Sequence, residues 1–327
     1  MNFEQVFTFE HLYNSAKKSC KGVRWKTSTK NFETCLIENV AILKQQILSG
    51  TFKSKGFKEF DLNDRGKTRH IKSVHISERA IQKCLCDYWL IPLLQPRLIY
   101  DSGATITNKG MKFAINRIKC HLQRFGRIYG NNGYILIFDI HDYFNSINHT
   151  RLLNKVYKIS DDKYLFNLYK YFIDCFGDKG LGLGSQVSQI SALFYLSQLD
   201  HYIKEKLHCK FYGRYMDDAY IISNDKKDLY KYLEDIKIII EKEDLQLSEQ
   251  KVKICKVTDF IFLKRHWSLK ENNYVTSKPI HATLKRFKKK WKKIKLKDEE
   301  TKRQFKASIN GTLKQFKTRR IESYVYS

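Results

Sequence analysis

Apolar residues recur at three- and four-residue steps along several stretches of the chain and run almost unbroken along others. Leu36, Val40, Leu43 and Ile47 share one helical face, which Asn31 or Thr34 begins and Gly50 ends. Ile81, Leu85, Tyr88 and Trp89 predict a second helix over 78–94, stopped by Pro92 and Pro96. Ile190, Leu193, Leu196, Leu199, Tyr202 and Ile203 predict a long helix within 185–207, and 228–243 is a further amphipathic helix. Residues 57–74 read as two short strands around a Gly-containing turn at 63–67. Residues 134–139 are nearly all apolar, the pattern of a strand buried on both faces. Asn148 or Thr150 caps the next helix, and 211–222 reads as a hairpin around Met216, Asp217 and Asp218. No repeat of fixed period appears, which argues against a solenoid or propeller.

Composition narrows the class. Hydrophobic residues make up 42% of the 327 positions, enough for a packed core rather than a disordered chain. The longest apolar runs fall far short of the ~20 residues that span a bilayer, and no secretory signal is visible at Met1, so a cytoplasmic protein is expected. The 8 Cys form no Cys-x-x-Cys pair and lack a His at zinc-finger spacing, which points to reduced, mostly buried thiols. Lys and Arg number 61 against 34 Asp and Glu, a net charge of +27. Such an excess points to a polyanionic partner, nucleic acid first and anionic membrane second. It is densest near the C-terminus, where nine Lys and Arg lie between His281 and Lys297. Leu284, Phe287, Trp291 and Ile294 form one narrow apolar stripe there, and the other faces are almost all Lys. Such a helix either binds phosphates without reading sequence or is a solvated face; Phe305 and Phe316 beyond it either pack or stack on bases.

Candidate chemistry centres on Tyr215-Met-Asp-Asp218. Two adjacent carboxylates at a hairpin tip repel each other, so they suit either a solvated turn or a divalent cation such as Mg²⁺. Upstream, Ile137-Phe-Asp-Ile-His-Asp-Tyr-Phe144 puts Asp139 at the end of the buried apolar strand, where a carboxylate needs a partner. A metal shared with Asp217 would supply one, and paired metals about 4 Å apart serve phosphoryl transfer. The alternative for Asp139 is a cap. His141 and His149 read as polar surface or capping residues.

These two motifs, in this order, resemble motifs A and C of reverse transcriptases. Arg69 after Gly66-Lys67 resembles the family's fingers motif, whose basic residues hold the incoming triphosphate. Lys251 in Leu245-Gln-Leu-Ser-Glu-Gln-Lys251 resembles the lysine that protonates the leaving pyrophosphate. Phe262-Leu-Lys264 resembles the primer grip, with Lys264 in place of Gly. The likeness runs from about 57 to 264. It implies an α+β right-hand polymerase: fingers over 1–130, an antiparallel-sheet palm over 131–266 with a fingers insertion around 150–184, and a basic helical thumb over 267–327. It further implies RNA-templated DNA synthesis from dNTPs, with two Mg²⁺ ions (or Mn²⁺) on Asp139, Asp217 and Asp218. Phe144 stands at the family's steric gate against ribose and equally fits a core position. Arg79 either touches template phosphate or pairs locally. Lys67 and Arg69 are expected on the triphosphate, and Lys288, Lys289, Lys292 and Lys293 on an RNA–DNA duplex.

Motif B sharpens the resemblance. Most reverse transcriptases carry Gln-Gly-x-x-x-Ser-Pro, whereas this chain has Leu183-Gly-Ser-Gln-Val-Ser-Gln189. Leu183, Gly184 and Gln189 are expected beside the nascent pair, and this variant is similar to the enzymes of diversity-generating retroelements, which copy template RNA with frequent errors at adenines. A phage-defence reverse transcriptase with its own noncoding RNA is the alternative. A non-catalytic RNA-binding protein of the same fold is a third reading, and three intact carboxylates count against it. Residues 265–327 leave room for a thumb but not for a ribonuclease H, maturase or endonuclease domain. An accessory protein subunit or structured noncoding RNA is therefore expected beside the RNA template and a DNA or RNA primer.

Overall fold

A computed structural model describes residues 1–64, 67–313, 316 and 319–326. Its organising element is the apolar run over 134–139. Two strands precede it, β1 (Phe57–Asp64) and β2 (Lys67–Val74), which pair as an antiparallel hairpin in the register Leu62↔Arg69. The run itself is β3 (Tyr134–Asp139). It lies inside a four-stranded antiparallel sheet with β4 (Tyr212–Tyr215), β5 (Asp218–Ser223) and β6 (Lys253–Lys256), in the order β4-β5-β3-β6.

Side chains of β3 alternate between two cores, as the period of a strand requires. Leu136 and Phe138 enter the larger one with Leu193, Tyr212 and Ile236. Ile135 enters the other with Ile118, Leu122, Phe125 and Trp267. Helices Gln186–Tyr195 and Lys226–Lys242 contribute to the first core, and helix Met111–Tyr129 to the second. Burial on both faces is thus the reason this strand carries no polar alternation. The α+β class read from the sequence is the class observed.

Several elements differ from the sequence pattern. The helix expected over 78–94 does not stop at Pro92. Helix Ile76–Leu85 passes through a π-helical turn, Cys86–Leu90, into Ile91–Leu94, with Pro92 in the first turn of that segment, where a missing N–H costs little. The helix expected within 185–207 is broken at Leu196, where helix Gln186–Tyr195 gives way to Ser197–His201. A second antiparallel sheet follows the first: β7 (Phe260–Phe262), β8 (Arg265–Leu269) and β9 (Val275–Pro279), in the order β7-β8-β9. Its first hairpin turns on Leu263 and Lys264 alone, both left-handed at φ 49° and 58°, the backbone a two-residue type I′ turn demands.

Helices His281–Ile294, Glu299–Leu313 and Arg319–Tyr326 close the chain around their own small core of Ile294, Phe305, Ile309 and Val325. Leu284, Phe287 and Trp291 pack against that core, so the apolar stripe faces protein. Phe305 stacks on Trp291, and Phe316 is buried with the Arg265 guanidinium 4.2 Å from its ring centre; both rings pack. Among the described residues no helix is long and apolar enough to cross a membrane.

Candidate active site

Antiparallel register builds the carboxylate cluster. Pairing of β3 with β5 sets Asp139 opposite Asp218, and the β4–β5 turn places Asp217 beside them. One ligand oxygen from each of the three lies within 4.8 Å of the others. Asp139 is buried, and Asp217 and Asp218 are partly so. Burial, followed by the charge of Asp139, holds the Asp217 carboxyl above its usual range. Burial, then the charges of Asp217 and Asp139, push Asp218 up to about 7.

The Lys251 ammonium faces the three carboxylates. Lys251 Nζ lies 2.6 Å from Asp139 Oδ2. Burial pulls the Lys251 pKa down, but the hydrogen bond to Asp139 and the charges of the three carboxylates outweigh it and hold the pKa above the ordinary lysine value. The segment carrying Lys251 is stitched to β3 by Ser248 N donating to Asp139 O and His141 N donating to Gln246 O, both at 2.8 Å. Ionised, the cluster keeps an excess negative charge made entirely of hard oxygen donors. That donor set fits a divalent cation of the Mg²⁺ or Mn²⁺ type.

The chain just after β3 carries Phe144, and a loop further on carries Leu183 and Gly184. Phe144 sits half-buried in the single turn Tyr143–Ser146, next to the buried Tyr143. Its carbonyl accepts from Leu181 N at 2.7 Å, and Gly180 N donates to Ile147 O at 2.8 Å, so the segment leading to Leu183 runs along this turn. Gly180 is required there: φ is +82°, and a Cβ would lie 2.9 Å from the Asn145 carbonyl oxygen. His149 is buried, and its Nε2 donates to Gly180 O at 2.6 Å, while His141 is exposed. Gly184, at φ +106°, faces Ile71 of β2 and lines a cleft of about 410 Å³ together with Gln189. Lys18, Lys21, Arg79 and Lys83 make the cleft basic, although Lys18 and Lys83 both pair with Asp87.

The other expected residues lie on β2 and on the first of the C-terminal helices. Arg69 is exposed on β2. The side chain of Lys67, which opens β2, lies outside the described residues. Lys289, Lys292 and Lys293 are exposed on helix His281–Ile294, and Lys288 Nζ lies 4.8 Å from the centre of the Tyr324 ring.

Two buried polar chains escaped the sequence reading. Ser54 Oγ donates to Glu78, Gln82 Nε2 donates to the other oxygen of Glu78, and Ser185 Oγ donates to Gln82 Oε1, at 2.6, 3.2 and 2.9 Å. Ser185 also caps helix Gln186–Tyr195, so this chain anchors the Leu183–Gly184 bend from behind. The second joins Asp200, Tyr212 and Arg214 beneath the β4–β5 turn. Glu78 and Arg214 flank motifs in the sequence, but a lone Glu or Arg carries no signal of burial.

Comparison with known proteins gives the family and the fold. A family model described as "Reverse transcriptase (RNA-dependent DNA polymerase)" matches residues 55–306. No curated protein matches the chain by sequence. Among solved structures, the telomerase of Candida albicans in complex with a fragment of telomeric RNA is similar at 11% identity and TM-score 0.51, over 73% of this chain and 49% of that one. The apo telomerase of Candida tropicalis, truncated from its C-terminal domain, is similar at 14% identity and TM-score 0.51, over 68% and 55%. The chain thus spans about half the length of these telomerases, and the likeness is one of fold, that of a right-hand polymerase. With the family match covering most of its length, this chain belongs to the reverse transcriptases.

Proposed function

We propose that the protein is an RNA-directed DNA polymerase working by two-metal nucleotidyl transfer, and that it is the error-prone enzyme of a diversity-generating retroelement. One observation carries the chemistry: Asp139, Asp217 and Asp218 converge within 4.8 Å in a chain of this family. In this reading fingers span 1–130, the palm 131–266 with an insertion around 150–184, and the thumb 267–327. Asp139, Asp217 and Asp218 hold two Mg²⁺ ions, for which Mn²⁺ can substitute. Bound there, the ions lower the pKa of the primer 3′-OH and offset charge on the triphosphate.

The chain's own residues do the rest. Lys67 and Arg69 grip the triphosphate of the dNTP, and Phe144 lies under its sugar. The primer 3′-oxygen, its proton passing to water, attacks the α-phosphorus, the bond to the β-phosphate breaks, and Lys251 gives a proton to the departing pyrophosphate. Gly184 lets the backbone approach the new pair, with Leu183 and Gln189 beside it. The basic cleft behind Gly184 suits the RNA template, and Lys288, Lys289, Lys292 and Lys293 suit the phosphates of the RNA–DNA duplex. A cytoplasmic accessory protein or structured noncoding RNA delivers the template.

Leu183 supports the subtype. It offers contact area where most of the family offers an amide, and one hydrogen bond fewer, about 0.5–1.5 kcal/mol, changes an error ratio up to about tenfold. Primer extension on one defined RNA tests both halves. Asp217→Asn is expected to abolish incorporation, and wild-type rates in that variant would overturn the polymerase site. Sequencing the cDNA is expected to show frequent errors opposite adenine that Leu183→Gln reduces. Low and equal error rates in both proteins would remove the subtype and favour the phage-defence reading.

A further inference from the structure

The turn that presents the catalytic carboxylates is strained. Tyr215 pairs with Asp218, leaving Met216 and Asp217 as its two central residues. Met216 has φ 56°, a left-handed backbone that a non-glycine residue adopts only where its surroundings impose it.

A two-residue hairpin calls for that backbone at its first central position, and Arg214 fixes the peptide that follows it. Its Nη1 donates to the main-chain oxygen of Met216 at 2.8 Å. Its Nε donates to Asp200 Oδ1 at 2.8 Å, and its Nη2 to Leu193 O at 3.0 Å and to Asp200 Oδ2. Tyr212 Oη donates to the same Asp200 carboxylate. Arg214 and Asp200 are 2% and 0% exposed. Asp200 in turn stands on helix Ser197–His201, whose position the main core sets. The guanidinium therefore spans from a fixed helix to the peptide just before Asp217.

A buried ion pair is a poor stabilising device. Desolvation offsets much of its attraction, and apolar residues of equal volume often serve the fold as well or better. What an apolar pair cannot do is direct a donor at the Met216 carbonyl. The planar fork of arginine can satisfy Asp200 and reach Met216 at once, which the single ammonium of lysine cannot.

We infer that the Asp200–Arg214 pair is a positioning element of the catalytic turn: it locks the left-handed Met216 peptide so that Asp217 and Asp218 converge with Asp139 into a metal-competent set. This rests on the metal-binding reading of the three carboxylates given above. Neither residue touches substrate or metal; both act through the main chain of Met216.

The test separates position from packing. Arg214→Lys keeps a charge against Asp200 and loses the fork. The double variant Asp200→Leu with Arg214→Met removes the pair without stranding a buried charge. Both are compared with wild type and Asp217→Asn for thermal unfolding, for Mg²⁺ or Mn²⁺ binding by calorimetry, and for kcat and KM in primer extension. Expected is a folded protein whose metal affinity falls about 10–100-fold, the usual loss when an orienting partner of a ligand is removed. kcat should fall with it while KM for the nucleotide and duplex affinity stay unchanged. If Arg214→Lys does not fold, the double variant decides. Wild-type metal affinity and kcat in the folded variant, with Asp217→Asn inactive, would overturn the positioning role and leave the site assignment standing. Activity and metal binding retained by Asp217→Asn as well would overturn the site assignment itself.

Discussion

The ammonium of Lys251 and the carboxylate of Asp139 meet at 2.6 Å, joining the short 3₁₀ turn Glu249–Lys251 to the end of β3. The pair keeps Lys251 protonated well beyond neutral pH, which is the state a proton donor needs. Lys251→Met is expected to lower single-turnover incorporation about 10²-fold, the lower range for loss of a general acid, with little change in nucleotide KM. Unchanged incorporation would make the lysine a counter-ion to Asp139 and nothing more.

Asp218 makes the metal-free fold sensitive to pH. Its folded pKa, raised to about 7, lies above the ordinary aspartate value, so the folded state binds the extra proton. The group costs nothing below the unfolded pKa. Stability then falls as pH rises from about 4 to about 7. In chelator-containing buffer, Asp218→Asn should therefore unfold at a higher temperature than wild type at pH 7 and at a similar temperature near pH 4. Added Mg²⁺ should raise the wild-type midpoint and leave that of Asp218→Asn nearly unmoved. Thermal melts across pH, with and without metal, check both.

Helix His281–Ile294 turns its apolar side to its own small core and leaves Lys289, Lys292 and Lys293 in solvent. Replacing these and Lys288 with Gln is expected to weaken RNA–DNA duplex binding regardless of sequence. The slope of log affinity against log salt should shrink by about 0.9 for each phosphate that the variant no longer neutralises. A titration at several salt concentrations reads this, and an unchanged slope would make the face merely solvated.

Phe144 is half-buried, with its carbonyl tied to Leu181. Phe144→Ala should raise incorporation of ribonucleotides relative to deoxyribonucleotides while costing less than the ~3–5 kcal/mol of a fully buried Phe truncation. Competition assays and denaturant melts on the same variant measure the two. Unchanged sugar discrimination with a full core-sized loss of stability would favour packing.

What the sequence made legible follows from how strongly each position is constrained by its neighbours in the chain. β3 could be read because burial on both faces leaves an unbroken apolar run, and the turn at Met216–Asp217 because adjacent carboxylates are otherwise unfavourable. Helix ends at Asn148 and Ser185 were readable or nearly so from their capping side chains. The small strands β6 to β9 were not, since runs of three to five residues are too short to show a period. Pro92 misled because the π-helical turn before it accommodates the ring, a tertiary outcome with no local signature. Asp200 and Arg214 were invisible as a pair: each looks like an ordinary polar residue, and only the fold brings them together. The three converging carboxylates lie on continuous motifs and were within reach, while the buried pair behind them was not.

β3 has neighbours on both edges and a core on both faces. Its amides have no route to solvent short of losing the sheet, so they should be among the slowest to exchange with deuterium. Asp139 rides on the end of this strand, whereas Asp217 rides on a two-residue turn. The carboxylate cluster therefore joins a strand held on every side to a turn held by one guanidinium, and binding a cation should slow exchange at the turn amides without altering exchange along β3.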